Sequence, residues 1–220
     1  MTVMTTTTTR KSRAGGVPTP ARRRSDATAN RAALLSAART LLALDPHASL
    51  DAIAHGAGLS RRAVYGHFPD RESLLREVIT LGAVRFNEIA EATDDPDPRV
   101  ALARMAVRLW READAVRAAA NIALDDVHMD ITVRALLPLR RRVRAITAAG
   151  VASGMFRQDV DAKLLAVLVE QAARATLREL RLSTADAAAI VARMVLSVVG
   201  LSWREQHELF AAHPEIIAED

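Results

Sequence analysis

Between Ser49 and Phe68 the chain reads SLDAIAHGAGLSRRAVYGHF, and its most chemically loaded side chains cluster there. Ser60 precedes Arg61, Arg62 and Ala63, and Tyr65 and His67 follow at spacings that leave them off the apolar positions Val64 and Phe68. Two guanidiniums, a phenol and an imidazole on the outer faces of one short helix suit a polyanion. Arginine can grip a phosphate or a guanine edge with two parallel hydrogen bonds, and an alanine methyl fits against the methyl of thymine. The residue order offers no Ser/His/Asp relay, no paired carboxylates in a pocket and no phosphate-cradling glycine loop, so the chain reads as a non-enzyme. Asp125, Asp126, His128 and Asp130 are metal-ligand types, but nothing fixes a ligand geometry and they read as helix-end caps. No cofactor or metal is expected.

The elements that must carry the basic helix are legible around it. Leu50, Ile53 and Ala54 recur at helical spacing, Ser49 stands at the N-cap, and Asp51 favours the positive end of that first helix. Gly56 and Gly58 bracket Ala57 where the chain must turn, and Ser60 caps the second helix. This is the spacing of a helix-turn-helix, in which the second helix enters the major groove of DNA. Charge agrees with that reading. Residues 1–72 hold eleven Lys+Arg against five Asp+Glu, whereas the remainder holds 19 against 21. Residues 1–24 form an aperiodic basic tail, expected to be disordered. Arg23 and Arg24 lie where an arm could reach a groove.

The rest of the chain reads as all-α. Half of its 220 residues are hydrophobic and only 3% aromatic, which favours closely packed helices. There is no cysteine, hence no disulfide or thiolate chemistry. The longest apolar run, Met194 to Trp203, is too short to span a membrane, and a cytoplasmic location is expected. The periodicity predicts helices near 28–44, 70–92, 100–120, 121–127, 131–149, 161–181 and 184–207. Domains are expected at 25–75 (helix-turn-helix) and 76–220, with the helix from Asp70 running on into the second domain. The last two helices are apolar over more than one stripe. The reading is a homodimer joined through them by a four-helix interface, with Leu168, Ala172, Val191, Val195 and Val198 at the contact.

At specific strings the sequence resembles the tetracycline-repressor (TetR) family of bacterial transcription regulators. These are Ile53-Ala54, Ala57-Gly58-Leu59-Ser60, Tyr65, His67-Phe68 and Asp70-Arg71-Glu72-Ser73-Leu74-Leu75. The likeness covers about residues 30–80, with arginine at 71 where members usually carry lysine and serine at 49 where threonine is frequent. It implies a homodimer on a palindromic double-stranded operator, released by a small-molecule effector bound in the C-terminal domain. Arg61, Arg62 and Ala63 would then meet base edges, and Ser49, Ser60, Tyr65, His67 and Arg71 the phosphates. If the large or soft side chains of the second domain converge, Phe86, Met105, Trp110, Asn121, Met129, Phe156 and Trp203 would line the effector pocket.

Overall fold

The computed structural model describes residues 20–179 and 186–218. Within them the regular elements are α-helices: α1 (Pro20–Leu44), α2 (Leu50–Gly56), α3 (Arg61–His67), α4 (Arg71–Ala92), α5 (Pro98–Ala115), α6 (Arg117–Ala123), α7 (Met129–Ala135), α8 (Leu137–Ala152), α9 (Ala162–Glu179), α10 (Ala187–Val198), α11 (Trp203–Ala212) and α12 (Glu215–Ala218). Three of the first four start where the sequence places an oxygen-bearing cap. Ser49 Oγ accepts the Ala52 N–H at 3.2 Å, Ser60 Oγ the Ala63 N–H at 3.2 Å, and Asp70 the Ser73 N–H at 2.7 Å. The Ser73 hydroxyl and then its backbone N–H hold the Asp70 carboxyl below the ordinary aspartate range. That capping contribution is therefore present at neutral pH and is lost as the solution is acidified through the lowered value.

Two apolar cores follow. The first joins Leu34, Ala38 and Leu42 of α1 to Ile53 of α2, Val64 of α3, Phe68, and Leu74, Leu75 and Val78 of α4. The second gathers α5, α8, α9 and α10 around Leu102, Met105, Ile146, Leu165, Val195 and Leu196, closed at one side by Phe210 and Ile216. The helix α4 serves both, since its first turns fill the first core and Ala90 the second.

Several predicted boundaries move, each for a local reason. Pro20–Arg24 belong to α1 rather than to a disordered tail, so the first helix starts before Thr28; residues 1–19 lie outside the described residues. The predicted 100–120 helix ends at Ala115, and α6 restarts after Val116 leaves the helical region at φ −118°. Leu136 interrupts the 131–149 helix by leaving the helical region at φ −94°, ψ +18°, and Pro138, which lacks an N–H, stands in the first turn of α8, where none is needed. The 184–207 helix breaks at Gly200, which sits at φ +102° and presses against Arg157 closely enough to exclude a side chain. Ser202 and Glu205 then form a reciprocal capping box that starts α11. Gln206 fastens this corner, donating to Ser197 Oγ and to the Leu201 carbonyl, both at 2.9 Å.

These shifts change the expected dimer contact. The helix α10 lies chiefly against α5 of its own chain and also touches α9. Val191 and Val195 are buried in that packing within one chain. The uncovered apolar residues are Leu164, Val167 and Leu168 on α9 and Met194 on α10, between 36 and 54% exposed. Ala172 and Val198 are half-buried.

The arginine-rich start of α8 is not a uniformly solvated face. Arg140 Nε donates to Glu170 Oε2 at 2.8 Å, and Arg174 reaches the same oxygen at 3.5 Å, with Glu170 only 8% exposed. Arg142 donates to the Thr93 carbonyl and to Asp94, while Arg141 and Arg144 face solvent. Removing one partner of a buried ion pair strands the other charges. Glu170→Ala should therefore lower stability by about 3 kcal/mol, read as a reduced urea midpoint with an unchanged transition slope; a loss within error would mean that the pair contributes nothing.

Candidate DNA-binding interface and effector cleft

The turn between α2 and α3 is built by backbone chemistry. Gly58 adopts φ +69°, its N–H donates to the His55 carbonyl at 3.0 Å, and the Leu59 N–H donates to the Ala54 carbonyl at 2.9 Å. This is a Schellman closure, which uses up two end carbonyls of α2 and turns the chain into α3. Gly56 matters for packing instead. A Cβ there would lie 2.9 Å from Leu41 Cδ1, so its bareness lets α2 approach α1. Val64 and Phe68 then pin the inner side of α3 to the first core.

On the outer side Arg61, Arg62 and Tyr65 are exposed and Ala63 is half-buried. Arg61 leans back towards α2, 3.3 Å from Asp51, and stacks 5.6 Å over the Tyr65 ring. Arg62 makes no ion pair with a described residue. The side chains of Arg23 and Arg24 lie outside the described residues. Ser49 and Ser60 spend their hydroxyl oxygens on capping, and each hydroxyl proton can still be donated to a phosphate. Arg71 behaves differently from the expectation: its guanidinium donates to the Ala48 carbonyl at 3.0 Å and to that of Pro46, tying α4 to the α1–α2 loop. His67 is half-buried.

Sequence reasoning missed Arg31. It donates to both carboxylate oxygens of Glu77 on α4 and to the His67 carbonyl at 3.1 Å, and it lies 4.5 Å over the Phe68 ring. One guanidinium thus ties α1, the end of α3 and α4 together. Its position off the apolar stripe of α1 made it look like an ordinary surface charge.

The seven residues expected to line one pocket do not converge. Met105 and Phe156 are buried in the second core, Phe156 so tightly against Gly150 that a Cβ there would overlap its ring. Trp203 is 70% exposed. Phe86 and Met129 are half-buried elsewhere, and the Met129 sulfur accepts from Arg174 at 3.4 Å. Only Trp110 and Asn121 meet, in a cleft between α5, α6 and α9 whose other walls include Asp114, Leu124 and Leu177. Its free volume is about 10 Å³, room for roughly one water.

The short helix α6 has two working sides. Asn121 and Leu124 line the cleft, while Ile122 packs against the core of the helix-turn-helix domain. Just beyond it, His128 Nε2 lies 3.1 Å from Glu72 in the first turn of α4. His128 is buried, and its Nδ1 has no partner among the described residues. Among the described residues no three His, Asp or Glu side chains are grouped to hold a metal ion.

What the fold and the site define is a helix-turn-helix domain joined through one shared helix to a larger helical bundle. Residues 34–78 match the model of the bacterial regulatory proteins of the tetR family, so the helix-turn-helix segment is similar to the DNA-binding part of that family. No curated protein matches the chain in sequence at a significant level. Among solved structures, the chain resembles RolR in complex with resorcinol at 24% identity and a TM-score of 0.61, over 90% of this chain and 97% of RolR. The TetR-family regulator PfmR from Thermus thermophilus aligns at 26% identity and 0.61, over 77% and 98%. The fatty acid degradation regulator FadR from Bacillus halodurans has 16% identity and 0.61, over 78% and 95%. The bundle therefore has the TetR-type fold.

The two glycines near α3 should respond oppositely to alanine. Gly58→Ala forces a side chain into the left-handed region and should cost about 1 kcal/mol. Gly66 is helical with open space around it, so Gly66→Ala should stabilise by about 0.5–1 kcal/mol. Urea denaturation of the two variants checks the contrast, and equal effects would contradict the turn geometry.

Proposed function

We propose that the protein is a sequence-specific, homodimeric DNA-binding regulator, a cytoplasmic repressor released from a palindromic operator by a small-molecule effector. The observation that carries this reading is the outer side of α3: a capped helix, anchored from beneath by Val64 and Phe68, that presents Arg61, Arg62 and Tyr65 to solvent. Arg62 and Arg61 read base edges and Ala63 touches a thymine methyl. Ser49, Ser60, Tyr65 and His67 hold phosphates, while Arg71 contributes charge from a position fixed by its carbonyl contacts. Dimerisation sets two such helices in successive major grooves, about 34 Å apart. The second copy covers the apolar surface of α9 and α10 around Leu168 and Met194, which supports the dimer reading. No helix among the described residues is long and apolar enough to cross a membrane.

Release works through α6. An effector that widens the cleft pushes on the helix that also braces the helix-turn-helix core through Ile122 and α4 through His128. It thereby favours dimers whose recognition helices are wrongly spaced. RolR binds resorcinol on a similar scaffold, which is consistent with a ligand-responsive bundle here.

Fluorescence anisotropy on DNA upstream of the protein's own coding region, against scrambled DNA, tests the reading. Arg62→Ala should cost about 1–3 kcal/mol of discrimination while sedimentation still reports the intact dimer; an unchanged preference would sink the recognition-helix assignment. Leu168→Asp, or Met194→Asp, should give folded monomers by sedimentation and weak operator binding. A dimer that persists in both would remove the proposed interface.

A further inference from the structure

We infer that Arg31 is a positioning residue for sequence recognition, fixing the C-terminal end of α3 and so the angle at which Arg61 and Arg62 meet a groove; this rests on the DNA-binding reading above. The helix α3 has seven residues, too few to be stable through its own backbone bonds. Its last turn contains Gly66, which loosens a helix interior. It lies chiefly against α2. Val64 and Phe68 bury its inner side, but apolar contact is non-directional and lets a short helix slide over the surface beneath it. The Phe68 N–H closes on the Val64 carbonyl at 2.8 Å, and Pro69, without an N–H, brings no further donor to the helix end. The His67 carbonyl is met by Arg31 Nη1 at 3.1 Å.

The shape of the guanidinium makes that contact directional. Its Nε and Nη2 donate to the two oxygens of Glu77 on α4, a fork that sets the orientation of the group. The same group stacks 4.5 Å over the Phe68 ring. Nη1 is thereby aimed at the end of α3, where the last carbonyls favour a cation. A pair as exposed as Arg31–Glu77 adds little stability through charge alone, so its consequence is geometric. A helix of seven residues is about 10 Å long, and a slip of about 1 Å at its anchored end turns it by about 6°. Hydrogen bonds to base edges weaken steeply outside a narrow range of distance and angle. Attraction to phosphates falls off gently with distance. Loss of Arg31 therefore degrades sequence preference and leaves the non-specific attraction in place, the opposite of what losing a phosphate contact does.

The test compares the full chain with Arg31→Met, which keeps an unbranched apolar stem and removes the donors. Fluorescence anisotropy follows binding to the tightest duplex selected from a random-sequence pool and to scrambled DNA. A salt series is run at a temperature where circular dichroism shows both proteins folded. The preference for the selected duplex should fall at least about tenfold, with the slope of log affinity against log salt unchanged. Hydrogen exchange without DNA should quicken at the amides of residues 64–68 and keep wild-type rates in α2. Where Arg31→Met does not fold, Arg31→Lys keeps the charge without the fork and should show the same pattern at smaller amplitude. A salt slope reduced by about one with the preference intact would make Arg31 a phosphate contact and overturn the inference. So would a lowered urea midpoint with preference and exchange both unchanged, the mark of a tie that serves stability alone. Equal binding of the wild-type chain to both duplexes would defeat the DNA-recognition reading instead, and the exchange rates would still decide whether Arg31 holds α3.

Discussion

One helix carries the mechanical burden of this molecule. The helix α4 is 22 residues long without interruption, a rod of about 33 Å, and each end is sunk in a different core. Leu74, Leu75 and Val78 cannot leave the first core without exposing the inner side of α3, and Ala90 is buried among the residues of α5 and its neighbours. Polar contacts fix it along its length. Arg31 holds it at Glu77, Arg71 ties its first turn to the loop before α2, and Asn87 accepts from the Leu139 N–H while donating to the Ala135 carbonyl. A displacement at either end is therefore transmitted rather than absorbed, because the helix runs through Gly82 without a break and holds no proline at which to bend.

The parts of this arrangement that were readable from the sequence are those with a local cause. Ser49, Ser60 and Asp70 announce helix starts through their own side chains, and Gly58 announces a turn because few other residues tolerate its backbone angle. The break at Gly200 also had a local sign, since Ser202 and Glu205 stand at capping-box spacing; the apolar run on either side masked it. Pro138 likewise marked the start of α8.

What was not readable depends on which helix lies opposite which. Val195 and Leu168 are equally apolar and lie on helices apolar over wide arcs, yet α5 covers one and leaves the other 41% exposed. The effector pocket failed for the same reason. Choosing side chains by size cannot tell that Met105 points into a packed core, or that Trp203, at the first position of a new helix, points into solvent. Arg31 and the Arg140–Glu170 pair show the polar counterpart: a charge at a surface-like position in one helix becomes a tie between elements, half-buried at Arg31 and buried at Glu170, once its neighbour is in place.

The polar contact between the corner after α6 and the start of α4 is a thin one. Among the described residues Glu72 pairs with His128 and with Arg76, which lies one turn further along α4 at 3.5 Å. If the corner after α6 moves away, the Glu72 carboxylate keeps Arg76 and its exposure to water, so it is not stranded. His128 meanwhile exchanges a buried ring whose Nδ1 lacks a partner among the described residues for solvent contact, and an unsatisfied buried polar atom costs about 1–3 kcal/mol. Ile122 packs this corner against the helix-turn-helix core, and the unsatisfied ring nitrogen is a polar term that opposes it. In the effector-release reading proposed above, the incomplete hydrogen bonding of His128 matters, because a fully satisfied buried network at that corner would hold the two domains together more firmly.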